Sequence, residues 1–171
     1  IISIPLQGTL AHEDSMGNKG LIRPNEIQVM SAGTGVQHSE FNGSDTEEAK
    51  FLQIWLFPNK ENVTPRYDQI TLDPKDRKNN FQQVISPNPD DAGTWVHQEA
   101  WVHMADMDKE VELNYTFKGQ GTGLFLFVLT GEVEVLNHSL MERDALGIKA
   151  LTEVVVKATK DITILNLFNM T

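Results

Sequence analysis

The strongest constraint on this chain is a two-residue rhythm. Val111, Leu113, Tyr115 and Phe117 alternate with Glu112, Asn114 and Thr116, the signature of a strand with one buried face. Leu124–Leu129 is a continuous apolar run, as expected of a strand buried on both faces. Thr130-Gly131 turns it into Glu132-Val133-Glu134-Val135, and Asn137-His138 supplies the next turn. Ala145–Ala150, Glu153–Lys157 and Ile162–Phe168 complete the series. The first half repeats the pattern in Ile1–Leu6, Leu10–Glu13, Ile27–Met30 and Phe51–Phe57, with Trp55 expected in the core. Helical periodicity is almost absent. Short strands spaced this evenly predict an all-β sandwich or barrel.

Residues 58–80 are polar and weakly patterned, and predict a connection over the surface. Ser86-Pro87-Asn88-Pro89-Asp90-Asp91 is the best boundary. It divides the chain into an N-terminal domain, 1–85, and a C-terminal domain, 86–171. In the second, Leu113, Tyr115, Phe125, Phe127, Val133, Val135, Val154 and Val156 are expected to fill the interior.

Charge narrows the function classes. The 171 residues carry 24 Asp+Glu against 14 Lys+Arg, a net charge of -10. Nucleic-acid binding needs clustered Lys and Arg, so direct nucleic-acid contact is not expected. No apolar run is long enough to span a bilayer as a helix. With no cysteine there is no disulfide, thiolate site or thiol nucleophile. A cytoplasmic protein is the expectation. The chain opens at Ile1 inside a strand and without Met, which predicts a fragment whose N-terminus lies upstream.

The stretch carrying most chemistry is Met30-Ser-Ala-Gly33-Thr-Gly35-Val-Gln-His38-Ser-Glu40. A spacing of two places His38 and Glu40 on one face of a strand. Inside a barrel, an imidazole and a carboxylate side by side form half of a nitrogen/oxygen metal site. The alternative is a chance His-x-Glu on an exposed strand. His97, Glu99, Trp101 and His103 also share parity. The central Trp101 favours packing there, with the His side chains at its wet edges. Gly119-Gln-Gly121-Thr-Gly123 is a loop between strands, since the segment that follows is not a helix that could meet phosphate.

The block Gly8-Thr-Leu-Ala-His12-Glu-Asp14-Ser-Met-Gly17-Asn, followed by Arg23-Pro24-Asn-Glu-Ile-Gln28-Val-Met30 and the His38/Glu40 stretch, resembles the pirin family. Phe51-Leu-Gln53-Ile-Trp55-Leu and Pro65-Arg-Tyr67 extend the match. The resemblance implies a bicupin: two double-stranded β-helix (jelly-roll) barrels, the first lacking its opening strands here. It implies one divalent transition metal, Fe(II) being the expectation, in the first barrel and none in the second. His38 and Glu40 match two of the family's ligands, and two further His ligands are expected upstream of Ile1. His12 matches a family position that is not a ligand, and is expected to form structural hydrogen bonds at a partly exposed loop edge. Arg143 stands where relatives tend to have the Gly of a Gly-Asp turn.

The resemblance further implies an activity like that of quercetin 2,3-dioxygenases, which open a flavonol ring with O2. The substrate is then a small flavonol-like aromatic, and Glu40 is both ligand and base for the flavonol hydroxyl. The alternative is a non-enzymatic, metal-containing regulatory module that binds a protein partner. Self-association through an open sheet edge is also expected.

Overall fold

The structure, a computed structural model, describes residues 1–160 and 163–170. The strand expected over Ile162–Phe168 is present from Thr163, and Ile162 lies outside the described residues. The chain forms strands nearly throughout. In order they are β1 (Ile2–Gln7), β2 (Leu10–Asp14), β3 (Lys19–Ile22), β4 (Glu26–Ser31), β5 (His38–Asn42), β6 (Lys50–Ile54) and β7 (Arg66–Thr71). After a short 3-10 turn, Pro74–Arg77, come β8 (Gln82–Ser86), β9 (Thr94–Trp95), β10 (Ala100–Met107) and β11 (Glu112–Thr116). The last are β12 (Gly123–Thr130), β13 (Glu132–Val135), β14 (His138–Met141), β15 (Ala145–Ile148), β16 (Glu153–Ala158) and β17 (Thr163–Met170).

Two units result: Ile1–Asp73 with Asn88–Gln98, and Pro74–Pro87 with Glu99–Thr171. A single cut at 85/86 therefore does not describe the chain, because two short segments are exchanged around it. Residues 74–87 join the second unit because β8 pairs with β10 and Arg77 Nε donates to Asp106 Oδ2 at 2.8 Å. Residues 88–98 join the first because the Arg66 guanidinium donates to the Trp95 carbonyl and stacks on its ring, 4.1 Å from the centroid.

In the first unit one sheet runs β6-β1-β4-β7 and the other β3-β2-β5. Strand β7 lies inside the segment expected to be a surface connection. Alternation hides it because polar Tyr67 and Gln69, rather than apolar residues, occupy one of its faces. The β4–β5 connection is pinned at Gly33, which adopts φ +52, and a Cβ there would stand 2.0 Å from the Val63 carbonyl oxygen. Only glycine takes that conformation at that approach without displacing the neighbouring strand connection.

In the second unit β8, β10, β17, β12 and β15 lie side by side, and the facing sheet runs β11-β16-β13-β14. Leu124, Leu126, Val128, Val133, Val154 and Val156 form the heart of its core. The interior positions expected at Phe125 and Phe127 are corrected by one residue: Phe125 is 44% exposed and Phe127 only half-buried. A continuous apolar run carries no parity, so the sequence could not say which alternate set faces inward. The β13–β14 hairpin turns at Leu136 (φ 47) and Asn137 (φ 65), the two-residue turn whose twist matches antiparallel strands.

Trp55, expected in the core, is 69% exposed. Strand β6 stops at Ile54, and the indole lies just past its end.

Candidate metal centre

His38 opens β5 and Glu40 follows two residues on, so both side chains leave the strand on one face. Strand β2 runs antiparallel beside it, with Asp14 opposite His38 and His12 opposite Glu40. Residues opposite one another on paired strands project to the same side. One donor atom from each of His12, His38 and Glu40 lies within 4.8 Å of the others. Donors around one ion, at bonds of 2.0–2.2 Å, stand at most about 4.4 Å apart, so closure of roughly half an ångström would suffice.

His12 is not at a partly exposed edge, as expected, but 1% exposed on a central strand. Its Nε2 lies 3.2 Å from Asp14 Oδ2. A carboxylate only accepts, so Nε2 carries the proton and Nδ1 is left as a bare lone pair. That Nδ1 points toward Glu40, 4.0 Å from Oε1. Asp14 is itself fixed. Burial pushes its carboxyl up, but hydrogen bonds from Asn18, His12 and the backbone N–H groups of Asn18 and Met16 outweigh this and hold it below its ordinary value. A His oriented by a carboxylate behind it is the usual outer arrangement of a metal ligand.

The donor chemistry fits a cation. Nδ1 of His12 and Nδ1 of His38 are both buried without a hydrogen-bond partner among the described residues. Leaving a buried polar atom unsatisfied costs about 1–3 kcal/mol, and a bound cation would remove that cost for both rings.

Glu40 is held from the other sheet. Ser3 Oγ donates to its Oε1 at 2.8 Å and Gln53 Nε2 to its Oε2 at 2.5 Å. Trp55 Nε1 donates to Gln53 Oε1 at 3.1 Å, extending the chain of bonds to the surface. Tyr67 packs on His12, ring centroids 5.1 Å apart, and its hydroxyl donates to Gln69 Oε1. Burial first, then the nearby carboxylates Asp14, Glu26, Asp68 and Glu40, push its phenol above the ordinary value, so it stays protonated. Sequence reasoning missed Ser3, Asp14, Gln53 and Tyr67. A signal for two of them existed: Ser3 sits between Ile2 and Ile4, and Gln53 between Leu52 and Ile54, polar residues inside apolar strands.

The second candidate cluster is not assembled as parity suggested. His97 belongs to the first unit, its ring edge-on to Trp95 at 4.7 Å. Glu99 precedes β10, and only Trp101 and His103 lie on that strand. The His103 ring meets Tyr115, whose hydroxyl is 3.1 Å from Nδ1.

Residues 1–56 match the family described as pirin, and residues 83–170 match the quercetinase C-terminal cupin domain. The chain belongs to the pirin family. Among its pirin-family relatives, a Zymomonas mobilis protein named for quercetin 2,3-dioxygenase is 35% identical over 162 residues, covering 94% of this chain and 68% of that one. The Escherichia coli K12 quercetin 2,3-dioxygenase is 34% identical over 165 residues, covering 96% and 70%. The crystal structure of Escherichia coli YhhW superposes with a TM-score of 0.92 at 32% identity, over 99% of this chain and 70% of that one. The nickel(II) complex of the same bacterial pirin gives 0.90 at 31%, over 99% and 71%. The architecture is accordingly the all-β bicupin of that family.

Proposed function

We propose that the first unit binds one divalent metal through His38 and Glu40, with His12 Nδ1 as a further donor. On this reading the protein is a quercetin 2,3-dioxygenase-type enzyme that opens a flavonol ring with O2. The observation that carries it is the convergence of one donor atom each from His12, His38 and the clamped Glu40, with Nδ1 of both imidazoles unpartnered among the described residues, in a family that includes a nickel(II) complex. Bound there, a redox-active ion such as Fe(II) supplies Lewis acidity and an electron couple for O2.

The chain's own residues then have distinct tasks. Glu40 takes the proton of the flavonol hydroxyl onto its carboxylate. Ser3 and Gln53 fix that carboxylate from the opposite sheet, so it needs no reorientation when the ligand arrives. Asp14 fixes the His12 tautomer, and Tyr67 walls the site behind it.

The test is iron-loaded protein with quercetin under air, following loss of the flavonol's visible band against oxygen consumption. Tight metal binding with neither change would sink the enzyme reading. That outcome would favour the regulatory reading, for which the 91% exposure of Phe57 beside Trp55 supplies an aromatic contact surface.

A further inference from the structure

Four polar side chains form one row across a sheet of the first unit, from exposed Gln53 to buried Ser3 and Gln28 and half-buried Gln69. Gln53 lies opposite Ser3, Ser3 opposite Gln28, and Gln28 opposite Gln69, on β6, β1, β4 and β7. Because partners in register project to the same side, all four share the face from which Ser3 and Gln53 reach Glu40. Three are engaged: Ser3 and Gln53 with Glu40, and Gln69 with the Tyr67 hydroxyl and the Leu21 carbonyl. Gln28 is not. It is 0% exposed, and neither Nε2 nor Oε1 meets a hydrogen-bond partner among the described residues.

A carboxamide buried with both ends unsatisfied works against the fold. Its chain neighbours Ile27 and Val29 are fully buried and apolar, so Met or Leu would suit the strand better. A ligand that pairs with both ends of the amide would remove that cost. The amide offers a donor, Nε2–H, beside an acceptor, Oε1. Its complement is a molecule carrying a carbonyl next to a hydroxyl.

We propose that Gln28 is a specificity-determining residue whose amide hydrogen-bonds the carbonyl and adjacent hydroxyl of a hydroxy-ketone held at the His12/His38/Glu40 site. This rests on the reading that the site takes a flavonol-type ligand. In the bound, still protonated ligand Nε2 donates to the carbonyl and Oε1 accepts from the hydroxyl; passage of that proton to Glu40 then breaks the second bond and leaves the first. Gln28 thereby separates hydroxy-ketones from otherwise similar ketones, while contributing nothing to metal affinity.

The experiment uses nickel-loaded protein, in which nickel replaces a redox-active ion, with maltol and its O-methyl ether as small probes and quercetin beside them. Gln28→Met keeps the side chain's reach and removes both hydrogen bonds. It should weaken maltol binding by about 10–100-fold, while changing methyl-ether and nickel affinity by no more than about twofold. It should also raise the Tm of the ligand-free protein. An unchanged maltol affinity overturns the proposal, and so does a fall in nickel affinity together with Tm, which would assign the amide a structural bond through buried water. Two further outcomes keep the proposal and the flavonol reading apart. Maltol binding that depends on Gln28, without quercetin turnover by the iron-loaded protein, sinks the flavonol reading and leaves Gln28 in place. Quercetin turnover at an unaltered KM in Gln28→Met leaves the reading in place and sinks Gln28. Wild-type protein that binds neither maltol nor quercetin overturns both.

Discussion

At the scale of single residues, the first unit gathers buried polarity at the proposed metal site, and the second uses it in a hydrogen bond between His103 and Tyr115. Asp14 shows the former. Asp14→Asn can turn an amide N–H toward His12 Nε2, which reverses the tautomer and puts the proton on Nδ1. Metal affinity should fall by about 10–100-fold, read by calorimetric titration, and Glu40→Gln should cost more than that. Equal affinity in Asp14→Asn would show that His12 does not ligate. His103 shows the latter. Burial, then Lys118, depress its pKa from 6.5 to about 4, so it stays neutral against Tyr115. A depressed His favours the fold fully above pH 6.5. That stability is lost as pH falls toward 4, where the unfolded chain takes up a proton that the folded one refuses. The loss amounts to about 3 kcal/mol. Denaturant midpoints should fall across that window in the wild type and much less in His103→Gln.

At the scale of elements, the turn before β15 carries an unexpected strain. Arg143 sits at φ 72, the left-handed conformation that glycine takes without cost and other residues adopt at about 1 kcal/mol. Arg143 thus holds a left-handed conformation at the position where the family resemblance implies a glycine. Its N–H donates to the Val128 carbonyl at 2.8 Å, and Asp144 Oδ2 accepts from Met141 N–H, which together hold it there. Arg143→Gly should therefore stabilise the protein by up to about 1 kcal/mol, measured by thermal melting. A destabilised variant would mean that the Arg side chain contributes more than its backbone costs. The same scale shows what a sequence can disclose. His38-x-Glu40 was legible because both residues lie on one strand at period two. His12 was not, because its part depends on cross-strand register with Glu40 and on a hydrogen bond to Asp14. Strand β7 escaped notice for a related reason: a polar interior erases the apolar alternation by which strands are recognised. Phe125 was misplaced because Leu124–Leu129 has no alternation to read.

At the scale of the whole molecule, the two units satisfy their buried polar groups differently. In the first, the Gln28 amide and the Nδ1 atoms of His12 and His38 lack a hydrogen-bond partner among the described residues, whereas in the second the buried side chains of His103, Thr122 and Asn169 each hydrogen-bond within the unit. Calorimetry should resolve two transitions, the lower belonging to the first unit. Nickel at 100 times its Kd should raise the lower one by about 2.7 kcal/mol and leave the upper in place. Leu126→Ala should do the converse, lowering the upper by about 2–5 kcal/mol. One transition that moves as a whole under both treatments would show the units unfold together.

Strand β5 ends its sheet, and its outer edge is unpaired among the described residues. A peptide hydrogen-bonded along that edge would set every second side chain beside His38 and Glu40. On the proposed reading, the metal's ligand set could then be rewritten by an added strand rather than by mutation. A His-x-His peptide would supply two more imidazoles, and a Leu-x-Leu peptide would shut the site in hydrocarbon. Metal preference in this chain would become a property that can be dialled from outside, by choosing which short peptide is in the tube.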